Sequence, residues 1–60
     1  MKFKIGDYVI VKSIGFKGKI GECFSDDRHN GYRNEGCVSI WLERELEFDT
    51  IKQLKRLKGE

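Results

Sequence analysis

The sequence contains no proline, one histidine, one tryptophan and only two cysteines, and no stretch of it is continuously apolar over the length of a membrane span. Without such a stretch, and without a signal-peptide core, the composition predicts a cytoplasmic protein that does not enter a membrane. Cys23 and Cys37 do not form a CxxC pair, and secreted domains of this size usually need more than one disulfide. We therefore expect reduced, buried cysteines, with a single disulfide as the less favoured alternative.

The length of 60 residues predicts a single domain over residues 1–60, because no repeat or low-complexity linker divides the chain. A chain this short buries only about 60% of the surface that its unfolded form exposes. An enclosed substrate cavity would compete with the core for the same few apolar side chains, so surface binding is favoured over catalysis. We expect no enzyme activity, no cofactor and no small-molecule substrate.

The net charge is only +2, but the charges are unevenly distributed along the chain. Residues 1–19 hold five lysines and one aspartate, whereas residues 20–49 hold three arginines and eight acidic residues. Residues 50–60 are basic again, with four cations and one acid. If the two ends meet in space, the molecule gains a basic face and an acidic face.

Alternating apolar and polar residues predict a mainly β fold. The first strand is predicted from Tyr8 to Lys12, with Val9 and Val11 on one face. A later strand, Glu45–Phe48, alternates charged and apolar residues, as a half-buried antiparallel strand does.

A second strand is predicted from Lys19 to Phe24, and it contains an irregularity. Its apolar positions Ile20 and Cys23 are three residues apart, whereas side chains on one face of a strand are two apart. A β-bulge near Gly21 would bring both to the core.

The strand Cys37–Leu42 has the clearest alternation in the chain. Its pattern predicts an inner face and an outer face, with Trp41 and Ser39 outside and Val38, Ile40 and Leu42 inside. The preceding twelve residues, Ser25–Gly36, are turn formers and charged residues, which predicts a long surface loop of the kind that often carries binding sites.

Two structures fit the tail of the chain. Ile51, Leu54 and Leu57 recur every three residues after Asp49, a suitable N-cap, which predicts a helix of about two turns. The alternative is a 3₁₀ turn at 50–53 followed by a short strand at 54–57 that would close the sheet.

Two segments carry a resemblance to a known family. The stretch "IGDYVIV" followed by "GFKGKIGEC", Ile5–Val11 and Gly15–Cys23, resembles the opening of small SH3-like barrels, including the KOW segments of ribosomal proteins and transcription-elongation factors. The stretch "FDTIKQLKRL", Phe48–Leu57, is similar to their close. The resemblance implies a five-stranded SH3-like barrel, with a 3₁₀ turn or short helix near the C-terminus and with paired first and last strands. Small accessory proteins of bacteria and phages include domains of this size.

Gly15 and Gly18 allow either a phosphate-binding loop or a simple turn. A phosphate-binding P-loop leads into a helix, whose N-terminal amides face the phosphate. Here Gly18 leads into a predicted strand, so both glycines are predicted to be turn residues with positive φ. Phe16 and Lys17 are then the residues that this loop displays.

No catalytic or metal-binding set stands out in the sequence. The spacing of Cys23, His29 and Cys37 fits no common zinc pattern, so we expect a solvated loop histidine and no metal site. Acidic residues alternate at positions 43, 45 and 47, so in a strand they would share one outer face, which indicates a solvated face rather than an acid–base pair; they are Glu43, Glu45 and Glu47.

An exposed Trp41 requires either a binding partner or a covering loop. If Tyr32 folds over it, the two rings form a satellite cluster; if not, Trp41 forms part of a binding surface. The favoured hypothesis is a protein-binding module that uses this aromatic patch and the 25–36 loop, through Trp41, Tyr32, Phe16, Tyr8 and Arg28. The alternative is an RNA- or DNA-binding KOW-like module with phosphate-binding lysines and a stacking aromatic ring, which would use Lys12, Phe16, Lys17 and Lys19.

Overall fold

A computed structural model describes residues 1–59, which form an antiparallel sheet, a 3₁₀ turn and a C-terminal helix. The elements follow one another as β1 (Tyr8–Val11), β2 (Phe16–Ser25), β3 (Asn30–Asn34), β4 (Ile40–Leu42), the 3₁₀ turn (Glu43–Glu45), β5 (Leu46–Phe48) and α1 (Thr50–Leu57). The strand order across the sheet is β4-β3-β2-β1-β5, so β4 and β5 are its edges. The mainly β class is confirmed, but the sheet is not closed and a barrel is not confirmed.

The first hairpin forms where the alternation predicted it. Val9 and Val11 of β1 are fully buried, and Val11 lies opposite Phe16 of β2. Gly15 has a φ of +68°, and its N–H donates to the Val11 carbonyl at 2.8 Å. The prediction of a turn glycine with positive φ is therefore confirmed for Gly15.

Gly18 has a different role from the predicted one. It lies inside β2 rather than in the turn, and its φ is not positive. A Cβ atom at this position would lie 2.9 Å from Cγ of Asn34, closer than carbon atoms approach. The residue is a glycine because the buried Asn34 side chain packs directly on its backbone.

The predicted bulge in β2 is present. The pairing of β2 with β3 shifts register between Ile20 and Glu22, on either side of Gly21. As a result Ile20 is fully buried and Cys23 also packs against the core. The bulge lies next to the point, between Lys19 and Ile20, where β2 changes its partner strand from β1 to β3.

The prediction of a loop over residues 25–36 is wrong, because the segment contains β3. Polar residues surround Tyr32 in the sequence, so the alternation typical of a strand is not visible there. The strand pairs with β2 on one side and with β4 on the other. Tyr32 and Asn34 are buried on alternate positions, whereas Arg33 between them is half-buried. A central strand forms from this composition because both neighbours satisfy its backbone groups.

The predicted orientation of β4 is reversed. Trp41 lies opposite Tyr32 and packs against the core, whereas Val38 and Ile40 are 89% and 54% exposed. Since paired residues of neighbouring strands share a face, the burial of Tyr32 fixes Trp41 on the inner side. The strand is also shorter than predicted, and Val38 lies outside it.

Phe3 covers the core at the open side of the sheet, a role that the sequence pattern did not predict. Its ring packs edge-on against Tyr32 at 5.2 Å and against Phe48 at 4.8 Å. These two residues belong to β3 and β5, which do not pair. The core comprises six buried residues, namely Phe3, Val9, Val11, Ile20, Tyr32 and Leu46.

The C-terminal part contains a strand and a helix. Leu46 is buried in β5, as predicted, and β5 pairs with β1, so the first and last strands are neighbours. Of the two predictions for the tail, the helix is confirmed: Asp49 Oδ1 accepts a hydrogen bond from the Lys52 N–H at 3.3 Å, as an N-cap does. Among residues 1–59, no helix has the length and apolar character needed to span a membrane.

The acidic residues between β4 and β5 do not share one strand face. Glu43 and Glu45 belong to the 3₁₀ turn, and only Glu47 lies in a strand. The prediction of a solvated face that all three share is therefore wrong. The turn instead directs the Glu43 carboxylate towards the N-terminal segment and β3, where it accepts hydrogen bonds.

Candidate functional site

The aromatic residues of the predicted patch do not form one surface. Tyr32 is fully buried and Trp41 packs against the same core. Of the two predictions, a cluster of Tyr32 and Trp41 is therefore closer to the structure than an exposed Trp41. Phe16 is 44% exposed at the start of β2, on the half of the sheet that pairs with β1. Tyr8 lies at the start of β1, where the Nζ atoms of Lys19 and Lys52 are each 5.7 Å from its ring centroid.

The hydroxyl of Tyr32 has a structural role. It accepts a hydrogen bond from the Phe3 N–H at 3.3 Å and donates one to the Glu43 carboxylate. Burial and this contact with Glu43 raise the pKa of Tyr32. Tyr32 therefore joins β3, the N-terminal segment and the 3₁₀ turn, and it does not reach a binding partner directly.

The outer face of β2, β3 and β4 carries an apolar depression with Gly31 at its base. Gly31 lies between Phe24 and Leu42 in the strand register, and Ile40 flanks it on β4. A Cβ atom at Gly31 would lie 3.0 Å from Cγ2 of Ile40, so any side chain would fill the space. We name this depression of about 200 Å³ the apolar dimple; its apolar lining consists of Phe24, Gly31, Ile40 and Leu42.

A second depression, of about 340 Å³, continues from the apolar dimple. His29 and Leu42 line both, so the two form one groove. We name the second part the cationic cleft, since three cations and one carboxylate line it; these residues are Lys2, Arg28, Arg44 and Glu43.

The single carboxylate of the cationic cleft is already occupied by hydrogen bonds. Glu43 Oε2 accepts from the Lys2 N–H at 3.0 Å and from Asn30 Nδ2 at 3.2 Å, in addition to the Tyr32 hydroxyl. The bonds from Tyr32 and Lys2 are the main reason that the pKa of Glu43 is lowered. Glu43 keeps its negative charge because these donors are neutral, but the three cations outnumber it, so the cleft has a net positive charge that attracts an acidic group.

A short turn fixes the position of Arg28 at the cationic cleft. Asp26 Oδ1 accepts hydrogen bonds from the backbone N–H groups of Arg28 at 2.9 Å and of His29 at 2.7 Å. These two bonds lower the pKa of Asp26, so the carboxylate that holds the turn stays ionised at neutral pH. The sequence named Arg28 as a candidate binding residue but not Gly31, whose position at the base of the apolar dimple depends on the strand register.

The residues of the predicted nucleic-acid surface lie along the first hairpin. Lys12, Phe16 and Lys17 are exposed, and Lys19 is half-buried beside Tyr8. The two basic ends of the chain do meet, because Lys52 of α1 lies at the same Tyr8 ring as Lys19. The expected basic face is therefore present in part, around Tyr8.

Neither cysteine forms a disulfide, and the single histidine lies at the surface. Cys23 and Cys37 are both free and half-buried, and burial together with the Asp7 carboxylate raises the pKa of Cys23. His29 is exposed, with Nδ1 3.8 Å from Asp26 Oδ1. Within residues 1–59, no three His, Cys, Asp or Glu side chains come together as a metal-binding group.

No family model, curated protein or solved structure matches the chain. The resemblance to SH3-like barrels and KOW segments therefore stays a prediction from the sequence.

Proposed function

We propose that the chain is a non-catalytic protein-binding module and that its binding surface is the groove formed by the apolar dimple and the cationic cleft. The observation that carries the proposal is the continuity of the two parts through His29 and Leu42. An apolar depression gives affinity by burying a side chain, and charges beside it give orientation and selectivity. The matching ligand is a peptide segment with one large apolar side chain close to an aspartate or glutamate.

Side-chain recognition fits this groove better than the addition of a strand to the sheet. An added strand would pair with β4, which is only three residues long. The Leu42 N–H of this strand donates to Glu45 Oε1 at 3.0 Å, so the edge is partly covered by the chain itself. Short and covered edges resist pairing with other chains.

The proposal includes an SH3-like arrangement of the open sheet. It is supported by the pairing of β5 with β1 and by the bulge at Gly21, which lies next to the point where β2 changes partner from β1 to β3. This fold hosts many unrelated activities, so the groove and not the fold carries the functional argument.

The test selects ligands from a random peptide library on the immobilised protein and measures their Kd by fluorescence anisotropy. We expect selected peptides to combine a large apolar residue with a nearby acidic one. Ile40→Glu places a carboxylate at the rim of the dimple and should weaken binding at least about tenfold. Val38→Glu is the matched control, since Val38 is also exposed but lies outside the groove.

A charge reversal tests the cationic cleft separately. Arg28→Glu should also weaken binding about tenfold, whereas Lys12→Glu makes the same charge change on the first hairpin and should have little effect. Selected peptides without acidic residues, or equal losses from Ile40→Glu and Val38→Glu, would contradict the proposal.

A nucleic-acid-binding module is the second candidate, and the meeting of Lys19 and Lys52 at Tyr8 favours it. Its test is a salt titration of binding to single-stranded RNA and to duplex DNA. Binding should fall steeply with salt and be lost when Lys17→Glu and Lys19→Glu are combined. Ile40→Glu should leave this binding unchanged, so the two candidate functions are distinguishable.

A further inference from the structure

The helix α1 is attached to the sheet through polar side chains. Asp7 Oδ1 accepts hydrogen bonds from Arg56 Nη1 at 2.7 Å and from Gln53 Nε2 at 3.3 Å. Gln53 Oε1 in turn accepts from the Tyr8 N–H at 2.8 Å. Gln53 and Arg56 are three residues apart, so one polar face of the helix makes all these contacts.

The apolar residues of α1 are left uncovered. Ile51, Leu54 and Leu57 are 67%, 56% and 77% exposed, and their three-residue spacing places them along one side of the helix. No residue of α1 is buried. Surface helices normally turn their apolar side to the core, so this apolar stripe, Ile51, Leu54 and Leu57, indicates an interaction surface.

The surface beside the apolar stripe contains depressions that side chains of a partner could enter. Phe48, Thr50, Gln53 and Leu54 line a space of about 340 Å³ at the start of the helix. A further space of about 490 Å³ lies at the other end of the helix, and both Leu57 and Phe48 line it. The uncovered surface is thus concave between α1 and β5.

Lysines frame this surface on both sides. Lys2 and Lys4 line the depression next to Leu57, while the helix carries Lys52 and Lys55 and is followed by Lys58. Arg56 forms a salt bridge with Asp7, so its positive charge is balanced within the chain. Residues 50–59 contain no acidic residue, so the lysines of the helix have no counter-charge in that segment.

We propose that the apolar stripe binds an acidic amphipathic helix of another protein. The lysine frame attracts acidic residues, and a ridge of side chains three residues apart packs against a partner helix. A second copy of this chain would bring the same lysines and be repelled. A nucleic acid would leave the stripe uncovered, and a lipid surface would not fill the concave space.

The probe is a labelled synthetic peptide helix with leucines on one side and glutamates elsewhere. A peptide of the same residues in scrambled order is its control, and Kd is measured by fluorescence anisotropy. The amphipathic peptide should bind at least about tenfold more tightly than the scrambled one. Leu57→Ser should abolish that difference, and Val38→Ser, a change at an exposed apolar residue away from α1, should not.

Circular dichroism, a second variant and vesicle binding provide further tests. Circular dichroism checks that Leu57→Ser still folds, as its exposure predicts, and Ile40→Glu should leave the difference in affinity between the two peptides unchanged, because it alters only the apolar dimple. Equal affinity for the two peptides would overturn the proposal. It would also be overturned if vesicles of phosphatidylglycerol and phosphatidylcholine bound through Leu57 while the amphipathic peptide did not.

Discussion

At the residue scale, Asn34 is the most unusual feature of the core. It is 2% exposed, and neither its Oδ1 nor its Nδ2 has a hydrogen-bond partner among residues 1–59. Its side chain packs against the backbone of Gly18, where no polar group reaches it. A buried amide without partners costs about 1 to 3 kcal/mol of stability.

We expect Asn34→Leu to stabilise the fold. The two methyl groups of leucine take the places of the amide oxygen and nitrogen, so the desolvation cost disappears with little change in shape. The free energy of unfolding should rise by about 1 kcal/mol, which for a chain of this size raises Tm by roughly 4 to 8 °C. Urea and thermal unfolding followed by circular dichroism measure both quantities.

Asn30→Leu is the control for this change, because it makes the same substitution in the same strand. Asn30 accepts a hydrogen bond from the Ser25 hydroxyl and donates one to Glu43, so its loss should lower stability. A fall in Tm for both variants would show that the Asn34 amide is not a cost to the fold.

Glu43 should make stability depend on pH in the acidic range. Its pKa is lowered in the folded state, so its stabilising effect is complete above the usual carboxyl pKa of about 4.3 and is lost as the pH falls through the lowered value. Glu43→Gln removes the titrating group, so its unfolding midpoint in urea should change less between about pH 6 and pH 3 than that of the native chain.

The control is Glu47→Gln, which removes the same charge from an exposed position on β5. The urea unfolding midpoint of this variant should change with pH as much as that of the native chain. If Glu43→Gln and Glu47→Gln show the same pH profile, the hydrogen bonds from Tyr32 and Lys2 do not stabilise the ionised form of Glu43.

At the scale of elements, α1 depends on its contacts with β1. The helix has only eight residues, and isolated helices of that length are not stable in water. Its attachment rests on the Asp7 carboxylate, which is almost fully buried, and on the guanidinium of Arg56, which is about one third exposed. The helix is therefore expected to open before the sheet does.

Arg56→Met should loosen α1 without unfolding the sheet. Methionine retains much of the apolar stem but leaves the Asp7 carboxylate buried without its ion pair. We expect a loss of about 1 to 2 kcal/mol, less than for a fully buried pair because solvent screens the exposed guanidinium. Amide hydrogen exchange should become faster in α1 than in β1 and β2.

Lys55→Met is the matched control, since it removes a cation from an exposed position of the same helix. It should change neither stability nor exchange in α1 appreciably. Equal losses in Arg56→Met and Lys55→Met would mean that overall charge, and not the bond to Asp7, holds the helix.

At the scale of the whole molecule, Phe3 covers the core where the sheet is open. It links Tyr32 of β3 to Phe48 of β5 across the gap that no strand pairing closes. The backbone N–H groups of Lys2 and Phe3 donate to Glu43 and Tyr32, which fixes the segment in place. The N-terminal residues thus complete the core as a strand would.

Phe3→Ala should remove a large part of the stability of the fold and lower Tm strongly. Truncation of a buried phenylalanine costs about 3 to 5 kcal/mol, and the whole stability of 60 residues is on the order of 3 to 9 kcal/mol. Phe16→Ala makes the same change at a residue that is 44% exposed and should leave Tm nearly unchanged. Similar Tm values for the two variants would contradict the role given to Phe3.

Some features of this protein follow from the pattern of neighbouring residues in the sequence alone. The alternation of Val9 and Val11 specified β1, and the irregular spacing of Ile20 and Cys23 required the bulge. These features follow from backbone geometry within a few residues, so the sequence predicts them without knowledge of the partners. For the tail of the chain, the N-cap Asp49 fitted both α1 and a 3₁₀ turn followed by a short strand, so the local pattern did not decide between them.

Tertiary structure decided which face of each element is buried. Alternation shows that Trp41 and Ile40 lie on opposite sides of β4, but only pairing with Tyr32 directs Trp41 inward. The polar segment that contains β3 becomes a strand because two neighbours satisfy its backbone. Likewise, the bond between Arg56 and Asp7, 49 positions apart, turns the polar side of α1 to the sheet and leaves its leucines outside. Burial depends on such distant pairs, which no local pattern of the chain specifies.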